Sequence, residues 1–325
     1  MKRTTHLTFG LLLLAVFPSR AGDRPVHLIP NLHVGQKVIY LIEYRSDKDV
    51  KTESRVVSPM APNAAQLDAH GLLQIEVLDL QPAGSKLTIQ ARGRFLTLDS
   101  GVWLKKDGDK KPNWNVQRFD PDAKTLEFAI SADGSVEKVT GLDSLFPEQQ
   151  QAWQEWVARF ALAWTLPADG LKIGQKWRSE QAEPAKSPIA ALYWTRESIY
   201  VRNEPCHAGE LSIAGEISPA SGPSDTCAVL MTTATLKQKS SPKDATPEDF
   251  KLRELKTMGT AKGTNEVITY ISLTTGLVVR ATEEARQQMD VVVAMADGSN
   301  RVHYNVNATS HSEVRLVTET PLTQP

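Results

Sequence analysis

Cys206 and Cys227 are the chain's two cysteines, and His207 stands directly beside the first. Three chemistries are open to such a set: a zinc site, a thiolate nucleophile or a disulfide. Two sulfurs and one adjacent imidazole fall short of the four-ligand spacing of structural zinc, and a bridged sulfur has no thiolate to attack with. In an oxidising compartment two thiols separated by 20 residues most simply form a Cys206–Cys227 bridge. In the chain-entropy picture that bridge stabilises the fold by about 3 kcal/mol.

The remaining motifs nominate no reaction. Ser240-Ser241-Pro242-Lys243 has the spacing at which an amine activates a hydroxyl, but it lies in a polar, proline-bearing stretch, whereas that nucleophile needs a rigid, partly desolvated helix start. Gly259 to Thr264 lacks the Gly-Lys-Ser/Thr of a phosphate loop and reads as a turn leading into a strand at Val267. His27, His33, His70, His207, His303 and His311 form no His-Glu-x-x-His or close His-x-His pair, and His303 falls on the polar face of its strand. Asp107-Gly108-Asp109 and Asp120-Pro121-Asp122 offer oxygens without a full calcium loop. Asn307-Ala308-Thr309 matches a glycosylation acceptor. Glu283-Glu284 reads as an exposed pair, and a glycosidase needs two carboxyl groups facing each other across a cleft. No catalytic, cofactor-binding or metal-ligating set emerges, and no cofactor is expected.

The segments that would position any site begin with a removable one. Met1-Lys2-Arg3 precedes an apolar stretch from Leu7 to Phe17, and Ser19 and Ala21 stand three and one positions before a cut after Ala21. That is the pattern of a secretory signal peptide over residues 1–21, and Gly22 rather than Cys follows, unlike a lipoprotein junction. No other apolar run approaches the roughly 20 residues that cross a bilayer as a helix. The mature chain is therefore expected to be soluble, periplasmic or extracellular, and not an integral membrane protein. The 325-residue chain carries 37 basic and 38 acidic residues; Lys2, Arg3 and Arg20 leave with the signal, and 34 against 38 gives a formal charge of −4. That balance offers no footprint for nucleic acid. With 41% apolar and 23% charged residues, 19 Gly and 19 Pro, the proportions are those of a globular protein.

Period-two alternation dominates the mature chain and predicts antiparallel sheet. Leu73, Ile75 and Val77 alternate with polar residues, as do Leu87, Ile89 and Ala91, across a turn at Pro82-Ala83-Gly84-Ser85. The same grammar surrounds Asp133-Gly134 and Asp297-Gly298, strong hairpin signals because Gly accepts the positive φ such turns require. Lys105 to Pro112, Gly215 to Thr226 and Lys237 to Asp249 are rich in Gly, Pro, Ser and charge and are expected to be mobile surface loops.

Leu32-His33-Val34-Gly35-Gln36-Lys37 returns as Leu171-Lys172-Ile173-Gly174-Gln175-Lys176, and Phe128 through Val136 returns as Tyr270 through Val278. The offsets nearly agree, which points to a divergent duplication. Trp153, Trp156, Val157, Phe160, Ala161 and Trp164 recur at spacings of three and four opposite Gln154, Glu155 and Arg159, predicting an amphipathic helix that ends before Pro167. The expected fold is mainly β, two similar halves of curved antiparallel sheet joined by one long Trp-rich helix. Its parts are an N-terminal half over 22–142, the helix over 143–169, a C-terminal half with the disulfide over 170–317 and a flexible tail over 318–325.

On Val34-Gly35, Asp133-Gly134-Ser135-Val136 ending at Gly141, Leu166-Pro167 followed by Ile173-Gly174 and Trp177, and Thr275-Gly276, the chain resembles an uncharacterised family of exported, β-rich bacterial proteins of about 300 residues. The resemblance covers most of the mature chain and implies a fold without an established activity or transferable catalytic residues. The cysteine pair is not part of its pattern. Curved sheets covered by a helix often enclose an apolar groove, so the expected function is a non-catalytic extracytoplasmic binding or envelope-associated protein that accommodates an apolar small molecule or lipid between sheet and helix. A protein–protein scaffold module contacting envelope partners is the alternative, and a hydrolase assembled from distant strands is a third.

Overall fold

Alternating polarity shapes nearly the whole chain, because each strand that buries one face must leave the other in water. A computed structural model describes residues 25–54, 64–84, 86–105, 113–118, 125–142, 150, 153, 156–157, 159–167, 169–183, 187–211, 217–219 and 224–319. The signal segment 1–21 lies outside the described residues. The strands are β1 (Lys37–Ser54), β2 (Ala64–Ala83), β3 (Lys86–Lys105), β4 (Asn113–Arg118), β5 (Thr125–Ile130), β6 (Val136–Thr140), β7 (Lys176–Ala182), β8 (Leu192–Cys206), β9 (Gly209–Leu211), β10 (Ile217–Pro219), β11 (Asp225–Gln238), β12 (Leu255–Ser272), β13 (Val278–Met295) and β14 (Val302–Glu319). They form one sheet in the order β6-β5-β3-β2-β1-β14-β13-β12-β11-β8-β7, antiparallel along that path. β4 adds to β3, and β9 pairs with β10 and, in parallel, with the end of β14.

Two expectations are corrected here. The chain does not divide into two halves with a sheet each: β1 and β14 pair from Ile39↔Val317 to Ser54↔Val302, which makes the sheet continuous. Two long edge strands left apart would each expose a row of unpaired backbone groups, and pairing satisfies both. Nor, among the described residues, does one long continuous helix over 143–169 appear. Gln150, Trp153, Trp156, Val157, Arg159 and Phe160 are helical, the chain then tightens into a 3-10 turn at Ala161–Thr165, and Leu166 is extended, as a residue before proline prefers. The other residues of 143–158 and the side chain of Trp164 lie outside the description. Among the described residues the only continuous α-helix is α1 (Glu248–Lys251).

The repeated turn does recur in detail. Gln36 Oε1 accepts from His33 N–H at 3.1 Å and Gln175 Oε1 from Lys172 N–H at 3.0 Å. Gly35 and Gly174 share a left-handed φ of 82° and 84°, and their N–H groups donate to Val77 O at 2.8 Å and Tyr200 O at 2.7 Å.

The sheet's two faces differ in kind. Tyr40, Ile42 and Tyr44 of β1, Leu73 and Ile75 of β2, Ile89, Ala91 and Phe95 of β3, and Val314 of β14 are buried on one face. They join Ile130 of β5 and Tyr200 of β8 in a single core around Trp153, Trp156, Val157 and Phe160. Strands near opposite ends of the order share that core, so the sheet must curl round the aromatic segment, as large twisted sheets do. We call this the inner face. A smaller inner cluster joins Leu192, Trp194, Leu236, Ala261 and Val291. The outer face carries exposed Glu43, Arg45, Asp47 and Asp49 on β1, Lys256, Lys262 and Glu266 on β12, and Arg280, Glu284, Arg286 and Asp290 on β13.

The stretch from Lys237 to Asp249 is fastened rather than loose. Ala245 is fully buried, its carbonyl accepts from Ala190 N–H at 2.7 Å, and Thr246 Oγ1 accepts from Thr257 N–H at 3.0 Å. Its polar side chains are consumed in local hydrogen bonds, which composition alone does not reveal. Of the other two expected loops, Ile217–Pro219 forms β10 and Asp225 already begins β11, while 106–112 and the rest of 215–223 lie outside the described residues.

Candidate functional site

The helical positions 153, 156, 157 and 160 face the sheet because they fall on one side of a 3.6-residue repeat. Trp153 stands edge-on to Phe95 at 5.9 Å and to Phe128 at 5.4 Å, Trp156 to Phe95 at 5.8 Å, and Phe160 to Tyr40 at 6.0 Å, the edge-to-face geometry that ring quadrupoles favour. Gly93 on β3 makes room for this packing: a Cβ there would lie 2.4 Å from Trp153 Cη2.

Trp156 and Phe160 pack against Tyr40, Ile42, Leu73, Ile75 and Val314 across a slot too narrow to hold a water molecule. Its walls are apolar except for two groups. Tyr40 Oη and Trp156 Nε1 are buried without a hydrogen-bond partner among the described residues, and burial pushes the Tyr40 hydroxyl far above its ordinary pKa. The slot is bounded by strands that are neighbours in the sheet, β2, β1 and β14, in register at Leu73↔Tyr40 and Ile42↔Val314.

Beside the slot the same segment is tied to the sheet by charge. The Arg159 guanidinium pairs with the Glu283 carboxylate of β13, their side chains 11% and 6% exposed, and Asn265 Nδ2 of β12 donates to the same carboxylate. Sequence reasoning missed this group, placing Arg159 on the water side of the helix and Glu283 on an exposed strand. The available signal was the alternation Ala281, Glu283, Ala285, in which Glu283 holds an inner position.

The residues singled out by motif do not converge. Cys206 and Cys227 form a disulfide with an S–S length of 2.04 Å, so they supply neither thiolate nor metal ligand. Ser240 Oγ donates to Ala190 O at 2.7 Å, a structural use, while Lys243 is exposed. Gly259 to Thr264 lies inside β12, which starts at Leu255, not in a turn before Val267; Gly259 is required because a Cβ would sit 2.1 Å from Asp290 O. His303 is on the outer face, its Nε2 2.8 Å from Asp290 and its Nδ1 3.6 Å from Glu53. His311 pairs with Glu284 at 2.7 Å. Asn307 Nδ2 donates to Asn305 Oδ1 at 3.2 Å. Among the described residues no group of three or more His, Cys, Asp and Glu could hold a metal ion. Asp107 to Asp109 and Asp120 to Asp122 lie outside them.

Compared with known proteins, the chain matches no family model and no curated protein. Solved structures similar to it include OccK7 (OpdD) of Pseudomonas aeruginosa, 7% identical with a TM-score of 0.24 over 87% of this chain and 99% of that one. The CymD monoaromatic hydrocarbon channel is 7% identical with a TM-score of 0.13 over 87% and 89%. A mutant porin of Rh. blastica is 9% identical with a TM-score of 0.16 over 86% and 100%. Scores this low establish no shared fold, and the two faces of the sheet decide more. Among the described residues no helix is long and apolar enough to cross a membrane. A transmembrane barrel presents an apolar band about 25 Å tall outward and polar side chains inward; here the main apolar core lies on the inner face, and the outer face carries the charged residues of β1, β12 and β13 named above.

Proposed function

We propose that the chain is a non-catalytic, exported envelope protein that binds an apolar small molecule or lipid between the inner face of its sheet and the aromatic segment at 153–160. The observation that carries this reading is the polarity of the sheet: a charged outer face suited to water and an apolar inner face closed by Trp156 and Phe160 over a narrow slot. Apolar walls with a few polar groups are the usual composition of a ligand site. The slot as it stands holds not even a water molecule, against the roughly 300–1,000 Å³ of ordinary ligand pockets, so binding requires the aromatic segment to move outward.

The charged outer face favours a soluble periplasmic or extracellular protein over an integral membrane one, in keeping with a signal peptide over 1–21 and with the exported β-rich family the turns resemble. The paired turns at Gly35 and Gly174 favour descent from one duplicated unit, with 22–142 and 170–317 as its copies within a single sheet. Native mass spectrometry of the chain purified from an exporting host tests the function. Adduct masses removed by extraction with organic solvent are expected; a clean apo mass together with no tryptophan emission change on adding apolar probes would refute it.

A further inference from the structure

A strand at the border of a sheet leaves one row of backbone N–H and C=O groups without ladder partners, and proteins cover, pair or charge such rows. Among the described residues β7 pairs on one side only, with β8, from Lys176↔Ile199 to Ala182↔Tyr193. The bonding phase of that pair is fixed at both ends: Tyr200 N–H donates to Gln175 O at 3.1 Å and Glu183 N–H to Leu192 O at 3.0 Å. Bonded and non-bonded pairs alternate along an antiparallel ladder, so residues 175, 177, 179, 181 and 183 direct their backbone groups to β8. Lys176, Arg178, Glu180 and Ala182 turn theirs the other way, and all four are exposed.

We propose that β7 is a dimerisation edge: two copies of this chain join β7 to β7, antiparallel, about a two-fold axis at Ser179, which sets Arg178 opposite Glu180 of the partner subunit at two symmetric places. The axis makes the contact isologous, so the outward-turned residues meet one another. Centring the pair on Arg178 opposes two guanidinium groups, and centring it on Glu180 opposes two carboxylates; like charges directly opposite are destabilising. Centring on Ser179 instead pairs Arg178 with Glu180 of the partner subunit and Lys176 with Ala182 of the partner subunit, backbone bonds being exchanged within each pair. Because Tyr200 of β8 points into the core, Glu197 and Thr195 of that strand, opposite Arg178 and Glu180 in the register, point outward. Acid and base therefore alternate across the join on the outer face, from Glu197 through Arg178 to Glu180 of the partner subunit. Within one copy Arg178 and Glu180 approach to 3.9 Å, and Lys239 stands 3.7 Å from the same carboxylate. These side chains are exposed, so their contacts are cheap to rearrange.

Sedimentation equilibrium of the full exported chain over a micromolar to submillimolar series tests the edge, with melting curves to check that each variant is folded. The parent is expected to pass from monomer to dimer as concentration rises, since one short strand gives a small interface and weak association. Arg178→Glu and Glu180→Arg should each raise the dissociation constant about tenfold, because two attractive contacts become repulsive. An equimolar mixture of these two variants should recover the parent's constant, as each reversed charge then meets its opposite. Glu180→Pro removes an outward-turned N–H and no bond to β8, which an edge strand tolerates, and should abolish the dimer while the chain still melts cooperatively. A parent that stays monomeric throughout, a dimer indifferent to both charge reversals, or a mixture as dissociated as either variant alone would overturn the proposal.

Discussion

Glu283 and Arg159 form a buried contact that is costly to disturb by halves. A buried pair offsets its desolvation only while both partners are present, and removing one leaves a bare charge in the interior, at about 3–5 kcal/mol. Glu283→Ala should lower the stability measured by urea unfolding by that amount, whereas the double change Arg159→Met with Glu283→Leu should recover most of it. A loss in the double variant equal to the sum of the two single losses would show that the two groups act independently. His303 gives a residue-level effect of opposite exposure. The hydrogen bond to Asp290 raises its pKa most; burial opposes this, and the nearby charges of Asp290 and Glu53 add to the rise. A folded-state pKa above the unfolded value of about 6.5 means that the stabilisation is complete below the unfolded value and is lost as pH rises through the folded one. Stability should therefore decline across that interval in the parent, and His303→Gln should remove that part of the slope in unfolding curves collected against pH.

At the scale of elements, the aromatic segment is held by shape as much as by area. Trp153 occupies the space over Gly93 that any side chain there would need, and Phe95 and Phe128 flank the ring. Gly93→Ala should cost about 1–3 kcal/mol through overpacking, visible as a lower denaturation midpoint with altered near-ultraviolet tryptophan dichroism; an unchanged midpoint would mean that the segment shifts freely. Strand identity was legible from alternation at Leu73, Ile75 and Val77, and the hairpins at Gly134 and Gly298, with φ of 85° and 83°, from Asp-Gly. The inward face of the Trp stripe was legible too. Alternation does not encode which distant strands pair, so the union of β1 with β14 was not, and neither was the use of polar side chains to fasten 237–249. The slot escaped for a related reason: Tyr40 and Trp156 are ordinary core residues in sequence, and only the structure shows that Tyr40 Oη and Trp156 Nε1 lack partners among the described residues.

At the scale of the whole molecule, the described strands form one sheet whose path runs from β6 to β7. The Cys206–Cys227 bridge joins the paired strands β8 and β11, with Asp225 opposite Cys206 in the register. Closing a loop of sequence separation 21 should stabilise the fold by about 3 kcal/mol in the chain-entropy picture. The double change Cys206→Ser with Cys227→Ser is expected to lower unfolding stability by that amount without altering ligand uptake, since neither sulfur lines the slot. Loss of binding at full stability would instead assign the bridge a part in the site.

The most direct test of a water-facing sheet with an apolar interior is density-gradient flotation of the detergent-free exported chain after incubation with vesicles containing a pyrene-labelled neutral ester lipid. The expected result is protein in the dense, lipid-free fractions carrying pyrene fluorescence. Protein that floats with the vesicles, or that stays in the dense fractions without pyrene, would contradict it.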